Sequence, residues 1–121
     1  MSKMRLVHGG TECPFATVET AENWLSKGIG VIGMPSLPPG HGLWLPGVSA
    51  VHTWFVRFPL DLLFLDRDGR AVKVALNIRP WTFLVCAPGA AGVVELGAGT
   101  LLEGKNEVNC GEKWILELIG E

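Results

Sequence analysis

Between Val51 and Asp66 the chain reads Val-His-Thr-Trp-Phe-Val-Arg-Phe-Pro-Leu-Asp-Leu-Leu-Phe-Leu-Asp, and no other stretch constrains the fold as strongly. Valine, aromatic and leucine side chains at this density fit the interior of a sheet. Polar groups embedded in such a run must find partners or give up their charge, because an unsatisfied buried dipole or ion is costly. His52, Arg57, Asp61 and Asp66 are those groups. The run therefore predicts a β-rich interior and marks where a site would lie.

Around it the pattern stays mostly β. Residues 50–58 are expected to form one strand, Pro59 a bend or edge, and residues 60–66 the next strand. Asp66-Arg67-Asp68-Gly69 has the composition of a hairpin turn, and although it starts like a calcium loop, the later ligands are missing. Val72, Val74, Leu76 and Ile78 then alternate with Lys73, Ala75 and Asn77, the period of a strand with one buried face. Further strands are expected near 82–86 and 92–96, followed by a closing hairpin of 108–110 and 113–119 with Trp114, Leu116 and Leu118 on one face. Upstream, 4–8 and 14–19 suit short strands or edge segments, and 20–27 suits a brief helix capped by Thr20 and stopped by Gly28. Six glycines and four prolines between Gly28 and Gly47 predict a long ordered loop, of a length that usually serves a function. The fold class predicted is α+β, mainly β. It is a compact antiparallel or mixed sheet curled into a small, partly open barrel, with one or two short helices and a long Gly/Pro-rich loop.

At 121 residues, 48% of them hydrophobic and 18% charged, the chain (1–121) is expected to be a single domain that folds without a partner. Its ten basic residues are scattered and its net charge is −2, so neither nucleic acid nor an anionic membrane is an expected partner. Cys13, Cys86 and Cys110 are odd in number and far apart, which fits neither a disulfide framework nor a zinc ribbon. Buried, inert thiols in a reducing cytoplasm are the expectation. No stretch has the apolar length of a signal peptide core or a membrane span. No cofactor and no metal is expected.

The block from Val51 to Asp66 resembles the hallmark of the domain of unknown function 192 family. Gly30-Val31-Ile32-Gly33 with Leu37 and Gly42-Leu43 resembles its early glycine-leucine segment, Arg79-Pro80-Trp81 its mid-chain motif, and Val94-Glu95-Leu96 with Gly99 its later one. The resemblance covers roughly residues 20 to 118. It implies a compact, mainly β domain with a short helix, found widely in prokaryotes, including bacteria, and without an established biochemical activity. Met34 and Lys27 stand where arginine is common in the family, and Val56 where methionine is common, so a ligand role of those arginines in relatives does not transfer here.

Several motifs point to chemistry. Gly28-Ile29-Gly30-Val31-Ile32-Gly33 has the spacing of a dinucleotide-binding motif, but prolines follow and no βαβ unit surrounds it, so a turn is expected. His52 and Asp61 suit a general-base pair, or with His41 a metal site, although neither has diagnostic spacing. The alternative is that His52 bonds a neighbouring strand while Asp61 holds Arg57 or backbone amides near Pro59. Arg57 in an apolar run calls for Asp61, Asp66 or Glu95 as an ion-pair partner, or for an anionic ligand. Trp44, Trp54, Trp81 and Trp114, with Phe55 and Phe83, suit either the core or a groove for a sugar ring or an apolar peptide, and Trp44 is expected to be the exposed one.

Three functions remain open. The first is a non-enzymatic module that binds a small molecule or a protein through the 34–47 loop and neighbouring strand ends. Its candidate ligand-binding residues are His41, Trp44, His52, Arg57 and Asp61. The second is a hydrolase or metal-assisted enzyme using His52 and Asp61, for which no nucleophile or ligand set is evident. The third is a structural homodimerisation module built on an exposed strand edge. Both monomer and homodimer are open.

Overall fold

Leu60–Leu65 and Gly92–Gly97 are buried at every position, so both strands need cover on both faces. The structure, a computed structural model, describes residues 3–8, 14–20, 36–37, 40–53, 56–82, 84–101 and 113–118. In chain order its strands are β1 (Lys3–His8), β2 (Pro14–Thr20), β3 (His41–Pro46), β4 (Ala50–Val51), β5 (Leu60–Leu65), β6 (Ala71–Ile78), β7 (Val85–Cys86), β8 (Gly92–Gly97) and β9 (Trp114–Leu118). Seven of them form one sheet in the order β6-β5-β8-β3-β2-β1-β9, and β4 and β7 pair separately. Every pairing is antiparallel except β2 with β3.

The sheet curls until its two end strands meet at one corner. Arg70 and Lys113 form an isolated antiparallel bridge, and the Trp114 amide donates to Gly69 O at 2.7 Å. The result is a half-barrel. Its concave side gathers Met4, Leu6, Val18, Leu63, Leu65, Val94, Leu96 and Trp114 from all round the sheet. On the convex side Leu43, Leu45, Leu60, Leu62, Phe64 and Val93 are covered by Val51, Val56, Val85 and Ala87, which belong to β4, β7 and the chain beside them. A small outer layer therefore lies over the convex face of β3, β5 and β8.

The turn from β5 to β6 is the expected hairpin. Asp66 Oδ1 accepts from the amides of Asp68 and Arg70, each at 2.9 Å, and Gly69 takes φ 84°. Other expectations change. Residues 41–46 lie within the span expected to be loop, yet they form β3, between β2 and β8. Glycine at 42 is tolerated there, and needed, because a Cβ would collide with the Glu95 carbonyl oxygen on β8.

Among the described residues of the expected strand 50–58 only Ala50–Val51 are in a strand, because Thr53 bonds to a turn instead, while Trp54 and Phe55 lie outside the described residues. Likewise the described residues of 82–86 keep Val85–Cys86, and Phe83 lies outside them. β9 pairs with β1, from Met4↔Leu118 to His8↔Trp114, and the 108–110 arm of the expected hairpin lies outside the described residues. No helix occurs among the described residues. The helix expected at 20–27 lies outside them except for Thr20, which ends β2. Among these residues there is also no helix long and apolar enough to cross a membrane.

Candidate functional site

The five residues singled out by the sequence do not converge. His41 is exposed at the start of β3, on the face of Leu43 and Leu45. Trp44 points to the opposite, concave face and is half-buried rather than exposed. Its indole lies over Gly92, where any Cβ would collide with the ring.

Asp61 is fully buried on β5, and its carboxylate is committed to the backbone. Oδ1 accepts from Asn77 N at 2.8 Å, while Oδ2 accepts from Gly99 N at 3.0 Å and Leu101 N at 3.1 Å. Asn77 and Gly99 both have left-handed φ, 51° and 94°, so one carboxylate fixes the chain where it leaves β6 and β8. That is a structural role, and it removes the acid from a His52–Asp61 proton-transfer pair. Arg57 is exposed and lies outside any strand, and the predicted need for a buried counter-ion disappears. Asp61 and Asp66 use their carboxylates on backbone amides instead.

A different residue organises this region. Thr53 is fully buried, and both its backbone groups and its hydroxyl are hydrogen-bonded. Its amide donates to Thr82 O at 3.2 Å, and its carbonyl accepts from Trp81 N at 2.8 Å and Val56 N at 3.3 Å. Its Oγ1 donates to Arg79 O at 2.6 Å and accepts from Thr82 N at 2.8 Å. Thr82 Oγ1 donates to the same Arg79 carbonyl at 2.7 Å.

This knot holds the 79–82 turn with Trp81 at φ 66° and 63% exposed. A bulky residue in that region costs about 1–3 kcal/mol and persists only where its surroundings fix it. Arg57 and Arg79 are exposed beside the knot, and His52 is half-buried next to Thr53. The sequence offered Trp81 as one of several groove aromatics and within the family-like Arg79-Pro80-Trp81 motif, and gave no signal for the role of Thr53, whose side-chain partners are 26 and 29 residues away.

Beneath the outer layer sits Glu95. It lies on β8 between Leu43 of β3 and Leu62 of β5, on the convex face with Val93, and is 4% exposed. Its Oε1 has no hydrogen-bond partner. Burial in this apolar setting pushes its carboxyl up from 4.5 to about 7. The sequence had named Glu95 as a possible partner of Arg57 and as part of the family-like Val94-Glu95-Leu96 motif.

A third feature opens at the joined corner of the half-barrel. A cleft of about 340 Å³ is lined by Trp44, Leu65, Trp114, the 66–69 turn and residues 113–116. Two indoles from the aromatic set thus share a wall, while Asp66, Arg67, Asp68 and Lys113 supply charges of both signs. Among the described residues no three His, Cys, Asp or Glu side chains gather as a metal site. Cys86, expected to be buried, is exposed at the end of the short β7, and Cys13 and Cys110 lie outside the described residues.

The family model DUF192, described as "Uncharacterized ACR", matches residues 5–112. Two crystal structures share the fold. One is a Sinorhizobium meliloti protein provisionally named a transcription regulator, with TM-score 0.75 and 26% identity, covering 95% of this chain and 92% of that one. The other is a Novosphingobium aromaticivorans protein of unknown function, with TM-score 0.76 and 20% identity, covering 92% of this chain and 83% of that one. No curated protein matches the chain.

Proposed function

The chain belongs to the DUF192 family, and from that premise we propose that it is a non-enzymatic binding module whose ligand site is the cleft between Trp44 and Trp114. The observation that carries this reading is the composition of the cleft. A half-exposed indole and a buried one form an apolar wall beside a short rim of acids and bases, the usual make-up of a small-molecule pocket. The cleft also joins Trp44, from the 34–47 segment, to the ends of β5 and β9. A planar or ring-shaped molecule with polar substituents, or an apolar side chain of a protein, suits it. Asp61 supports a binding role over an enzymatic one, because its buried carboxylate holds three amides.

We take the protein to act in the cytoplasm. Its net charge of −2 weighs against nucleic acid as a partner, and the name of the Sinorhizobium meliloti protein does not change that balance. The test is a thermal-shift and tryptophan-fluorescence screen against sugars, nucleotides, organic acids and short peptides. It is repeated with Trp44→Phe and Lys113→Ala. A ligand whose shift is reduced in both variants supports the cleft. A ligand that binds all three proteins equally well places the site elsewhere and sinks this assignment.

A further inference from the structure

We propose that the cleft between Trp44 and Trp114 takes an aromatic amino acid in its zwitterionic form, an inference that rests on the cleft being the ligand site and names what fills it. Its apolar wall is fixed before any ligand arrives. The Trp44 ring lies over Gly92, where a Cβ would collide with it, and Trp114 is buried. The charged rim is fixed as well. Gly69 takes φ 84°, and a Cβ on it would lie 2.6 Å from Trp114 O, so only glycine lets the 66–69 turn meet β9 this closely. The Trp114 amide donates to Gly69 O at 2.7 Å, and within the turn Gly69 N donates to Asp66 O at 3.0 Å. A site held in place in this way loses less freedom when a ligand binds.

Charge and size select the ligand. The rim carries two acids, Asp66 and Asp68, and two bases, Arg67 and Lys113. Among the described residues no two of these four side chains form an ion pair. Arg67, Asp68 and Lys113 are exposed, while Asp66 has its Oδ1 occupied by the amides of Asp68 and Arg70 and offers a ligand its other oxygen. An anion or a cation alone would meet a like charge beside its partner, and a neutral ring would leave all four charges unused. An ammonium and a carboxylate on one carbon answer both signs at once, the ammonium at the aspartates and the carboxylate at Arg67 or Lys113. The side chain then lies against indole, where an aromatic ring gains more than its buried area alone. The cleft of about 340 Å³ is near the bottom of the range of about 300–1,000 Å³ for ligand pockets, which suits one such residue better than a peptide.

The test is isothermal titration calorimetry of the full chain with phenylalanine, tyrosine and tryptophan, and with N-acetylphenylalanine and phenylalanine amide, which carry one charge each. At least one free amino acid should bind at millimolar concentration or below, and each capped form should bind about tenfold more weakly or worse. Arg67→Gln, Lys113→Ala and Asp68→Asn should each weaken binding of the free amino acid, and because these side chains are exposed the variants should melt like the parent protein. Trp44→Phe should weaken it too. Equal binding of capped and free forms overturns the proposal, as does binding that Trp44→Phe weakens and the three charge variants do not; in both cases the cleft remains the site of another ligand class. Binding that all four variants leave unchanged removes the cleft and the proposal together. Failure of all three amino acids to bind overturns the proposal, whereas a sugar, nucleotide or organic acid whose binding Trp44→Phe reduces would keep the cleft.

Discussion

Ionising Glu95 strips a carboxylate of water between Leu43 and Leu62 and gives its Oε1 nothing in return, so the folded state pays in stability as pH rises. The size follows from the shift. Unfolded, the side chain titrates near 4.5; folded, near 7. Below 4.5 both states carry the proton. Between the two values the folded chain holds a proton that the unfolded chain has released, so stability falls by about 1.4 kcal/mol per pH unit. Above about 7 both are ionised and the loss is complete, roughly 3 kcal/mol from the difference of about 2.5 between the two values. That is a large part of the about 5–15 kcal/mol that holds a domain together.

Glu95→Gln keeps the shape and stays neutral at every pH. Urea unfolding of both proteins, followed by tryptophan fluorescence from pH 4.5 to 8, isolates the term, because the remaining titrating groups cancel in the difference. The variant should gain on the parent protein steadily through that window, by about 3 kcal/mol at its upper end. A stability difference that stays flat from pH 4.5 to 8 would refute the reasoning, since it would mean that Glu95 is charged and satisfied in the folded chain.

Three further substitutions test the rest of the framework. Asp61→Ala leaves three backbone amides, one of them buried, without their acceptor and should cost about 3 kcal/mol by urea unfolding, with exchange of the Asn77, Gly99 and Leu101 amides faster by nuclear magnetic resonance. Thr53→Val matches the shape but removes the Oγ1 bonds to Arg79 O and from Thr82 N, and should cost about 1–3 kcal/mol while loosening the turn that presents Trp81. The loosening should appear as faster exchange of the Trp81 amide. Gly92→Ala drives a methyl into the Trp44 indole, and should cost about 1–3 kcal/mol and change the emission of that tryptophan.

Where a strand's own residues carry its signal, the sequence revealed it. The apolar residues of 72–78 placed β6, the run after Pro59 placed β5, and Asp66 with Gly69 placed the turn between them. The single buried face expected of β6 is absent, since a register shift puts Val72 on the convex side and Val74 on the concave and leaves Leu76 exposed. β3 was hidden because glycine and proline normally mark loops. Gly42 is there for the close approach of the Glu95 carbonyl, a contact set by a strand more than fifty residues away. The same limit explains the site. That Asp61 would be buried and would need partners was legible from its neighbours. That the partners would be amides 16, 38 and 40 residues distant was not, and with Asp61 so occupied Arg57 had no reason to stay inside.

These observations meet in the outer layer. It is held to itself by a ladder only two residues long, Ala50↔Cys86 and Val51↔Val85, by the Ala87 N to Ser49 O bond at 2.9 Å, and by the Thr53 knot. Lys73 reaches over from β6 to donate to Cys86 O at 2.9 Å. So thin a layer opens more readily than the seven-stranded sheet beneath it, because few bonds must break together. The layer also packs on Leu43, Leu62 and Val93, the convex-face neighbours of Glu95, on one side and carries the exposed Trp81 on the other. Opening it hydrates the carboxylate, so ionisation favours opening, and the charge should be felt first in this layer. Exchange of the Val51, Val85 and Ala87 amides, corrected for the intrinsic effect of pH, should therefore accelerate between pH 6 and 8 in the parent protein and not in Glu95→Gln, while exchange in β1 and β2 should not depend on that substitution. Equal acceleration across the whole sheet would show that the molecule opens as one unit and that Glu95 has no separate hold on the surface bearing Trp81.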